Sequence, residues 1–177
     1  MSKFAKRLLV AAILLLVLAA ILHMGGWLQC AIFTIGAIAS VFEISNAFEK
    51  RDRKPYMLPA YLYAAGYFVL YRLFGGEAVW LLGIFMVMLA LMERIWNRTR
   101  TTEDAFFALV PLVYPLAFFT AVAMVAEYAG EYDKSRIALF SIFAMPLMGD
   151  TFAYTFGRLF GKRKLSPELS PNKTVAG

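Results

Sequence analysis

The stretch FAKRLLVAAILLLVLAAILHMGGWLQCAIFTIGAIASVFEI, from Phe4 to Ile44, contains two long apolar runs with only four residues between them. The runs cover Phe4–Leu22 and Trp27–Ile44, and each is close to the roughly 20 residues that a helix needs to cross a bilayer. Because hydrocarbon offers an open backbone no hydrogen-bond partner, each run predicts a transmembrane helix. The short connection predicts that the two helices form a tight hairpin.

Four more apolar stretches follow, and the composition is that of a membrane protein. Hydrophobic residues make up 61% of the 177 residues, and the mean hydropathy is +0.65, whereas roughly half of a soluble domain is apolar. The sequence therefore predicts an all-α fold, a polytopic transmembrane bundle of about six helices in one domain, residues 1–177. The further stretches are Met57–Phe74, Val79–Met92, Ala105–Ala126 and Ile137–Phe160.

Three of the six stretches have a second interpretation. The first follows basic residues and also fits a cleaved signal peptide, although the short connection after it favours a hairpin. The fourth has only 14 apolar residues and also fits a re-entrant helix. The fifth contains Pro111 and Pro115, which predict a kink, for packing rather than for gating.

The basic residues fall on one side of the predicted membrane. The net charge of +6 is not a nucleic-acid signal, because these residues flank apolar spans and form no solvated face. With the N-terminus in the cytoplasm, fifteen basic residues lie inside and three outside, which matches the positive-inside rule. Both ends are thus expected to be cytoplasmic, at the cell (inner) membrane. The three outer residues are Arg72, Lys134 and Arg136.

Asp150 is the acid that stands out in the apolar stretches. It follows thirteen residues of the sixth stretch, or roughly 20 Å of helix, which places it in the inner half of the bilayer. Charged residues at that depth are costly and usually face a cavity or a partner, so Asp150 is a candidate catalytic residue. The alternatives are a structural ion pair and a helix that ends before this point.

The residues after Asp150 are small, basic and hydroxylated. Gly149, Ala153, Gly157 and Gly161 form a stripe at helical spacing, which is typical of close helix packing. A basic cluster follows at the inner interface, where it marks topology and attracts anionic lipid headgroups. Residues 161–177 are expected to form a cytoplasmic loop, and its Ser-Pro-Asn-Lys-Thr segment fits either phosphate binding or an ordinary polar turn.

This order of residues resembles the phosphatidate cytidylyltransferases, also called CDP-diacylglycerol synthases. Members of that family are membrane enzymes that convert CTP and phosphatidate to CDP-diacylglycerol and pyrophosphate with divalent metal ions. The residues that match are Asp150, Ala153, Tyr154, Gly157, Arg158, Gly161, Lys162, Lys164, Leu165, Ser170, Pro171, Lys173, Thr174 and Gly177.

The resemblance implies a role for several of these residues. Asp150 would be the catalytic and metal-associated residue, with Mg²⁺ as the cofactor. The substrate-binding residues would be Arg158, Lys162, Lys164, Ser170, Lys173 and Thr174. The implied partners are CTP, phosphatidate and the lipid bilayer, with no nucleic acid; a homo-oligomer stays open.

The sequence also departs from the family pattern. Val175 and Ala176 stand where a Trp-Glu pair often follows Lys-Thr, and the family's C-terminal acidic signature would follow Gly177. The chain is therefore expected to be the N-terminal part of such an enzyme and to be inactive alone. Two alternatives are a non-catalytic scaffold that retains the motif and a related CDP-archaeol synthase or polyprenol kinase-like enzyme.

The charge asymmetry predicts which connections face the cytoplasm. In a Cys30→Ser background, which removes the only cysteine, single cysteines at Lys54 and Arg100 should be shielded from an impermeant thiol reagent in intact cells. A cysteine at Asp133 should be labelled, because it lies on the side with few basic residues. Labelling at position 100 together with protection at position 133 would contradict the proposed orientation.

Overall fold

The structure is a computed structural model that describes residues 3–97, 100–128, 132–166 and 170–176. These residues are mainly helical, and four spans among them are long and apolar enough to cross a membrane. The predicted all-α membrane bundle is confirmed as the fold class. The elements are α1 Lys3–Met24, α2 Gly26–Glu49, α3 Leu58–Phe74, α4 Gly76–Trp96, α5 Thr102–Phe107, α6 Val110–Val113, α7 Pro115–Ala126, α8 Tyr132–Phe160, β1 Lys164–Ser166 and β2 Ser170–Thr174.

Each predicted apolar stretch is found as a helix or as a set of helices. The fourth stretch is longer than its apolar run indicated, because α4 has 21 residues and is long enough for a full crossing. The fifth is divided into α5, α6 and α7, with an interruption before each of the two prolines, and the kink itself stays a prediction. Pro111 and Pro115 lie in the first turns of α6 and α7, where a residue without an N–H group costs no helical hydrogen bond.

The chain divides into two compact units. One unit is Met24–Ser135, and the other combines Met1–His23 with Arg136–Gly177. Between α1 and α2 only Gly25 is non-helical, with a left-handed φ of 58° that glycine adopts at little cost. The connection is therefore as short as the sequence predicts. The assignment of residues 1–177 to a single domain stays a prediction.

In the Met24–Ser135 unit, α3 packs against α2, α4 and α7. Alanines at these contacts are fully buried, among them Ala37, Ala64 and Ala90, and small residues allow helices to approach closely in a membrane. Two hydroxyl groups in this core bond to each other. The hydroxyl groups of Tyr63 and Thr120 lie 2.8 Å apart, and Thr120 donates to the Leu116 carbonyl at 2.7 Å.

The two ends of this unit carry different charges. At one end, the connection after α2 meets the region between α4 and α5: Arg53 pairs with Glu103 at 2.8 Å, and Arg100 pairs with Glu93 and donates to the Lys54 carbonyl. The two basic connections that the charge pattern assigns to one side therefore lie together. At the opposite end, Arg72 pairs with Glu127.

In the other unit, α8 is the main element. Its 29 residues correspond to about 44 Å of helix, more than the roughly 30 Å of a hydrocarbon core. Near its start, the Arg136 guanidinium donates to the His23 carbonyl at the end of α1, at 2.6 Å. Because α8 is longer than the bilayer core, it can carry residues from inside the membrane to the water interface.

Candidate functional site

The second half of α8 places Asp150 well inside a continuous helix. The helix continues for ten residues beyond Asp150, or about 15 Å, so the alternative that the helix ends before this acid is wrong. The Asp150 side chain is exposed, and within the part of the chain that the structure describes it has no hydrogen bond or ion pair. The structural ion-pair interpretation is therefore not supported among these residues.

The helix surface around Asp150 is exposed and mainly apolar. Only 11% of the residues in the apolar segment of α8 are buried. Phe152 and Phe156, which lie near the acid in the helix, are exposed. Other polar side chains of this segment are satisfied locally. The Thr151 hydroxyl donates to the Leu147 carbonyl at 2.8 Å, and the Thr155 hydroxyl donates to the Thr151 carbonyl at 2.7 Å. The carboxylate is thus available to a ligand on the surface of this helix.

Pro146, one turn before Asp150, is a feature that the sequence analysis missed. It lies inside α8, and a proline in a helix interior leaves the carbonyl four residues earlier without its usual N–H partner. Here that carbonyl belongs to Ile142. The sequence alone could have predicted this feature. A proline inside an apolar stretch removes one hydrogen bond of the helix, here the one between residues 142 and 146, close to Asp150. Membrane helices tolerate such freed groups where they face protein or a water-filled cavity.

A small antiparallel hairpin follows α8, where the sequence predicted a loop or turn. Strands β1 and β2 pair with Lys164 opposite Thr174 and Ser166 opposite Ser170. The Val175 N–H donates to the Arg163 carbonyl at 3.0 Å and extends the pairing. The sequence analysis missed these strands because they are short and polar, and residues 167–169 and 177 of the predicted loop lie outside the described residues.

The hairpin meets the end of α8 at Gly161. A Cβ atom at this position would lie 2.0 Å from the Gly157 carbonyl oxygen and 2.5 Å from the Thr174 Oγ1 atom, so no side chain fits. The Gly157 carbonyl accepts from the Gly161 N–H at 3.1 Å and from the Thr174 hydroxyl at 3.5 Å. Thr174 thus satisfies a carbonyl at the helix end, which limits its single proton as a donor to phosphate.

Two glycines of the small-residue stripe have different surroundings. A Cβ atom at Gly149 would meet nothing within 4 Å. Gly161 is needed for close approach, and its partner is the hairpin. Gly161 therefore positions the segment after α8, while the packing role of the other stripe residues stays a prediction.

The structure brings the predicted site residues into one short segment of the chain. Asp150, Tyr154 and Arg158 follow each other at every fourth residue of α8, so they share a side of the helix. The cations Lys162, Lys164 and Lys173 are exposed at the helix end and on the hairpin. Asp150 lies about 10 Å along the axis from Gly157, which anchors Thr174, so acid and hairpin form separate parts of the site.

The comparisons with known proteins agree with this arrangement. Residues 5–177 match the family model described as "Cytidylyltransferase family". The chain belongs to the cytidylyltransferase family. This match covers both units, so the helices before α8 are part of the same family pattern.

Curated relatives carry the name "Phosphatidate cytidylyltransferase". The one from Staphylococcus haemolyticus is 35% identical over 95 residues, and the one from Staphylococcus aureus is 30% identical over the same length. The matched region is 53% of this chain and 34% of each relative. No solved structure matches the chain.

The contact at Gly161 predicts which glycine of the stripe is essential. Gly161→Ala should displace the hairpin, because the added methyl group overlaps the Gly157 carbonyl and Thr174. Hydrogen exchange of the Val175 amide, which bonds to Arg163, should rise by at least about tenfold as this local structure opens. Gly149→Ala is the matched control and should leave exchange unchanged, since a methyl group there meets open space. Equal exchange in both variants would show that the hairpin does not depend on this contact.

Proposed function

We propose that this protein is a membrane-bound phosphatidate cytidylyltransferase that converts CTP and phosphatidate to CDP-diacylglycerol and pyrophosphate. The observation that carries the proposal is the family match over residues 5–177, which includes Asp150 and the basic hairpin. The names of the curated relatives support the same substrates. They do not favour a scaffold role or an isoprenoid substrate over phosphatidate.

The proposed site lies where a lipid and a nucleotide can meet. The exposed acid lies within a membrane helix, while exposed cations lie at the end of the same helix and on the hairpin after it. Phosphatidate would keep its acyl chains in the bilayer, and CTP would approach from the cytoplasm. This requires the orientation that the basic residues favour, with the N-terminus and residues 161–177 on the cytoplasmic side of the inner membrane.

The basic residues would hold the phosphate groups. Lysine and arginine side chains supply positive charge to phosphate oxygens, and arginine binds them in a bidentate manner. Arg158 at the helix end and the lysines of the hairpin are exposed for this role. Ser170 is half-buried opposite Ser166 and would add a hydroxyl donor. The family resemblance implies that Thr174 donates a hydrogen bond to phosphate. For this, its 3.5 Å hydrogen bond to the Gly157 carbonyl would have to open or be shared.

The reaction itself is a substitution at phosphorus. A phosphate oxygen of phosphatidate attacks the α-phosphorus of CTP, a new P–O bond forms, and the bond to the β-phosphate breaks so that pyrophosphate leaves. The task of the protein is to position two anionic groups and to offset their charge. The exposed cations after Asp150 would stabilise the leaving pyrophosphate.

Asp150 fits a magnesium ion as one ligand of a shared site. Mg²⁺ is commonly bound by one or two carboxylates together with substrate phosphates and water, so a complete protein cage is not required. Among the described residues no three His, Cys, Asp or Glu side chains cluster for a metal, and Asp150 is exposed without a partner there. When bound, Mg²⁺ would neutralise charge on the transferring phosphoryl group.

The charge of Asp150 should be essential for turnover. Asp150→Asn should lower kcat by at least about a hundredfold, because the nearly isosteric amide cannot supply the negative charge that a metal or substrate requires. The measurement is CDP-diacylglycerol formation from labelled CTP in membranes that contain the natural gene product. Thermal stability should stay the same, since the carboxylate has no described partner. Glu43→Gln, which changes another exposed span acid, is the control; equal activity of the two variants would contradict the role.

Lys173 should contribute to nucleotide binding. Its side chain is exposed on β2, and loss of a charge-assisted hydrogen bond costs about 2 kcal/mol, or roughly 30-fold in kcat/KM for CTP. Lys173→Ala should show this loss with little change in stability. Lys54→Ala, which removes an exposed lysine far along the chain, should not. If both variants retain the parent kcat/KM, the hairpin serves only as a structural turn.

A further inference from the structure

A polar cavity lies at the end of the Met24–Ser135 unit where α2 begins and where α3 and α7 end. Its volume is about 470 Å³, within the range of roughly 300–1,000 Å³ that is typical of small-molecule sites. The proposed reaction does not use its lining residues, because the candidate site residues lie on α8 and on the hairpin that follows. The lining residues are Met24, Gly26, Gln29, Arg72, Ala126, Glu127 and Tyr128.

The cavity contains one charge of each sign. The Arg72 Nη1 and Glu127 Oε1 atoms lie 2.5 Å apart, and about a quarter of each side chain remains exposed. The Arg72 guanidinium also lies over the ring of Trp27, 5.0 Å from its centroid, which holds the cation in place. The other lining residues that the structure describes are uncharged, so this described part of the wall has a net charge of zero.

Gln29 is a polar, uncharged member of the lining. It is 6% exposed as a whole residue and lines the cavity. A glutamine side chain carries two N–H donors and one carbonyl acceptor. An occupant of the cavity can therefore accept a hydrogen bond from the amide NH₂ group.

The helix ends around the cavity add one partial positive charge and one partial negative charge. The N-terminus of α2 has no side-chain cap, so its first N–H groups and its positive dipole end favour an anion near Gly26. The C-terminus of α7 at Ala126 has the opposite polarity and favours a cation beside Glu127. A positive end and a negative end therefore face one cavity.

We propose that this cavity binds the zwitterionic headgroup of a membrane phospholipid, with the phosphate beside Gly26, Gln29 and Arg72 and the ammonium group beside Glu127. A zwitterion matches a wall with one charge of each sign, whereas an anion would leave Glu127 repelling it. Arg72 lies close enough to Gly26 that a Cβ atom there would be 3.9 Å from its Nη2 atom, so cation and helix terminus converge on one point.

A lipid is the source of this headgroup that the location favours. The cavity lies at the ends of membrane helices, and the neighbouring Trp27 and Tyr128 are 56% and 66% exposed. Exposed tryptophan and tyrosine at helix ends are typical of the depth of lipid headgroups. The acyl chains of the bound lipid would then follow the apolar helix surface, and the headgroup would replace water in the cavity.

The test is binding of defined lipids to the purified full chain, measured by native mass spectrometry. The probes are phosphatidylethanolamine, phosphatidylglycerol with the same acyl chains, and free glycerophosphoethanolamine as a competitor. The unmodified protein should bind phosphatidylethanolamine at least about tenfold more tightly than phosphatidylglycerol, because only the former supplies an ammonium group for Glu127. If free glycerophosphoethanolamine competes, the headgroup alone is recognised. If it does not compete but the protein still prefers phosphatidylethanolamine, the acyl chains are also required.

Two variants separate the site from general lipid adhesion. Gln29→Leu keeps the size of the side chain and should weaken phosphatidylethanolamine binding by about tenfold through loss of a hydrogen bond. Glu127→Gln should remove the preference by strengthening phosphatidylglycerol binding, since the wall becomes positive. Glu103→Gln, which breaks the exposed pair with Arg53 at the other end, is the control and should change neither. Equal binding of the two lipids by the unmodified protein, or a preference that both variants retain, would overturn the proposal.

Discussion

The structure depends on one constraint, which is that the hydrocarbon of a bilayer cannot form hydrogen bonds. Backbone groups must therefore bond within helices, and polar side chains must find protein partners or face a cavity. The hydroxyls of Thr120, Thr151 and Thr155 donate to carbonyls of their own helices. Against this background an exposed carboxylate at Asp150, which has no partner among the described residues, is costly, and that cost makes it a candidate functional residue.

The end of α8 joins a membrane helix to a hairpin with exposed lysines, which is the candidate phosphate site. A helix end leaves carbonyls without partners, and here Gly161 allows Thr174 to reach the Gly157 carbonyl. The same contact brings the strand that carries Lys173 back to the helix. Asp150 and Arg158 thus lie on one helix with about two helical turns between them, and the lysines follow at the helix end and on the hairpin. This order suits a lipid phosphate that meets a nucleotide at the interface.

The two ends of the Met24–Ser135 unit differ in their charged residues. One end concentrates basic connections and holds them with Glu93 and Glu103. The other has a balanced pair, Arg72 and Glu127, beside an open cavity. An excess of positive charge favours anionic ligands and the cytoplasmic face, whereas a balanced pair favours a zwitterion. The two ends are therefore suited to different headgroup chemistry.

The sequence by itself determined the helices and the family. Apolar length and the Lys–Arg pattern depend on local composition, so the six apolar helical stretches and the placement of the basic connections on one side could be predicted from the residues. The motif from Asp150 to Lys173 likewise identified the cytidylyltransferase family. Only the tertiary structure decided that Gly161 contacts Thr174, that residues 164–174 form a hairpin, and that Gln29 lines a cavity with Arg72 and Glu127. These features join residues that are distant in the chain or lie in short polar segments, where no periodic pattern exists and only packing in three dimensions selects the partner.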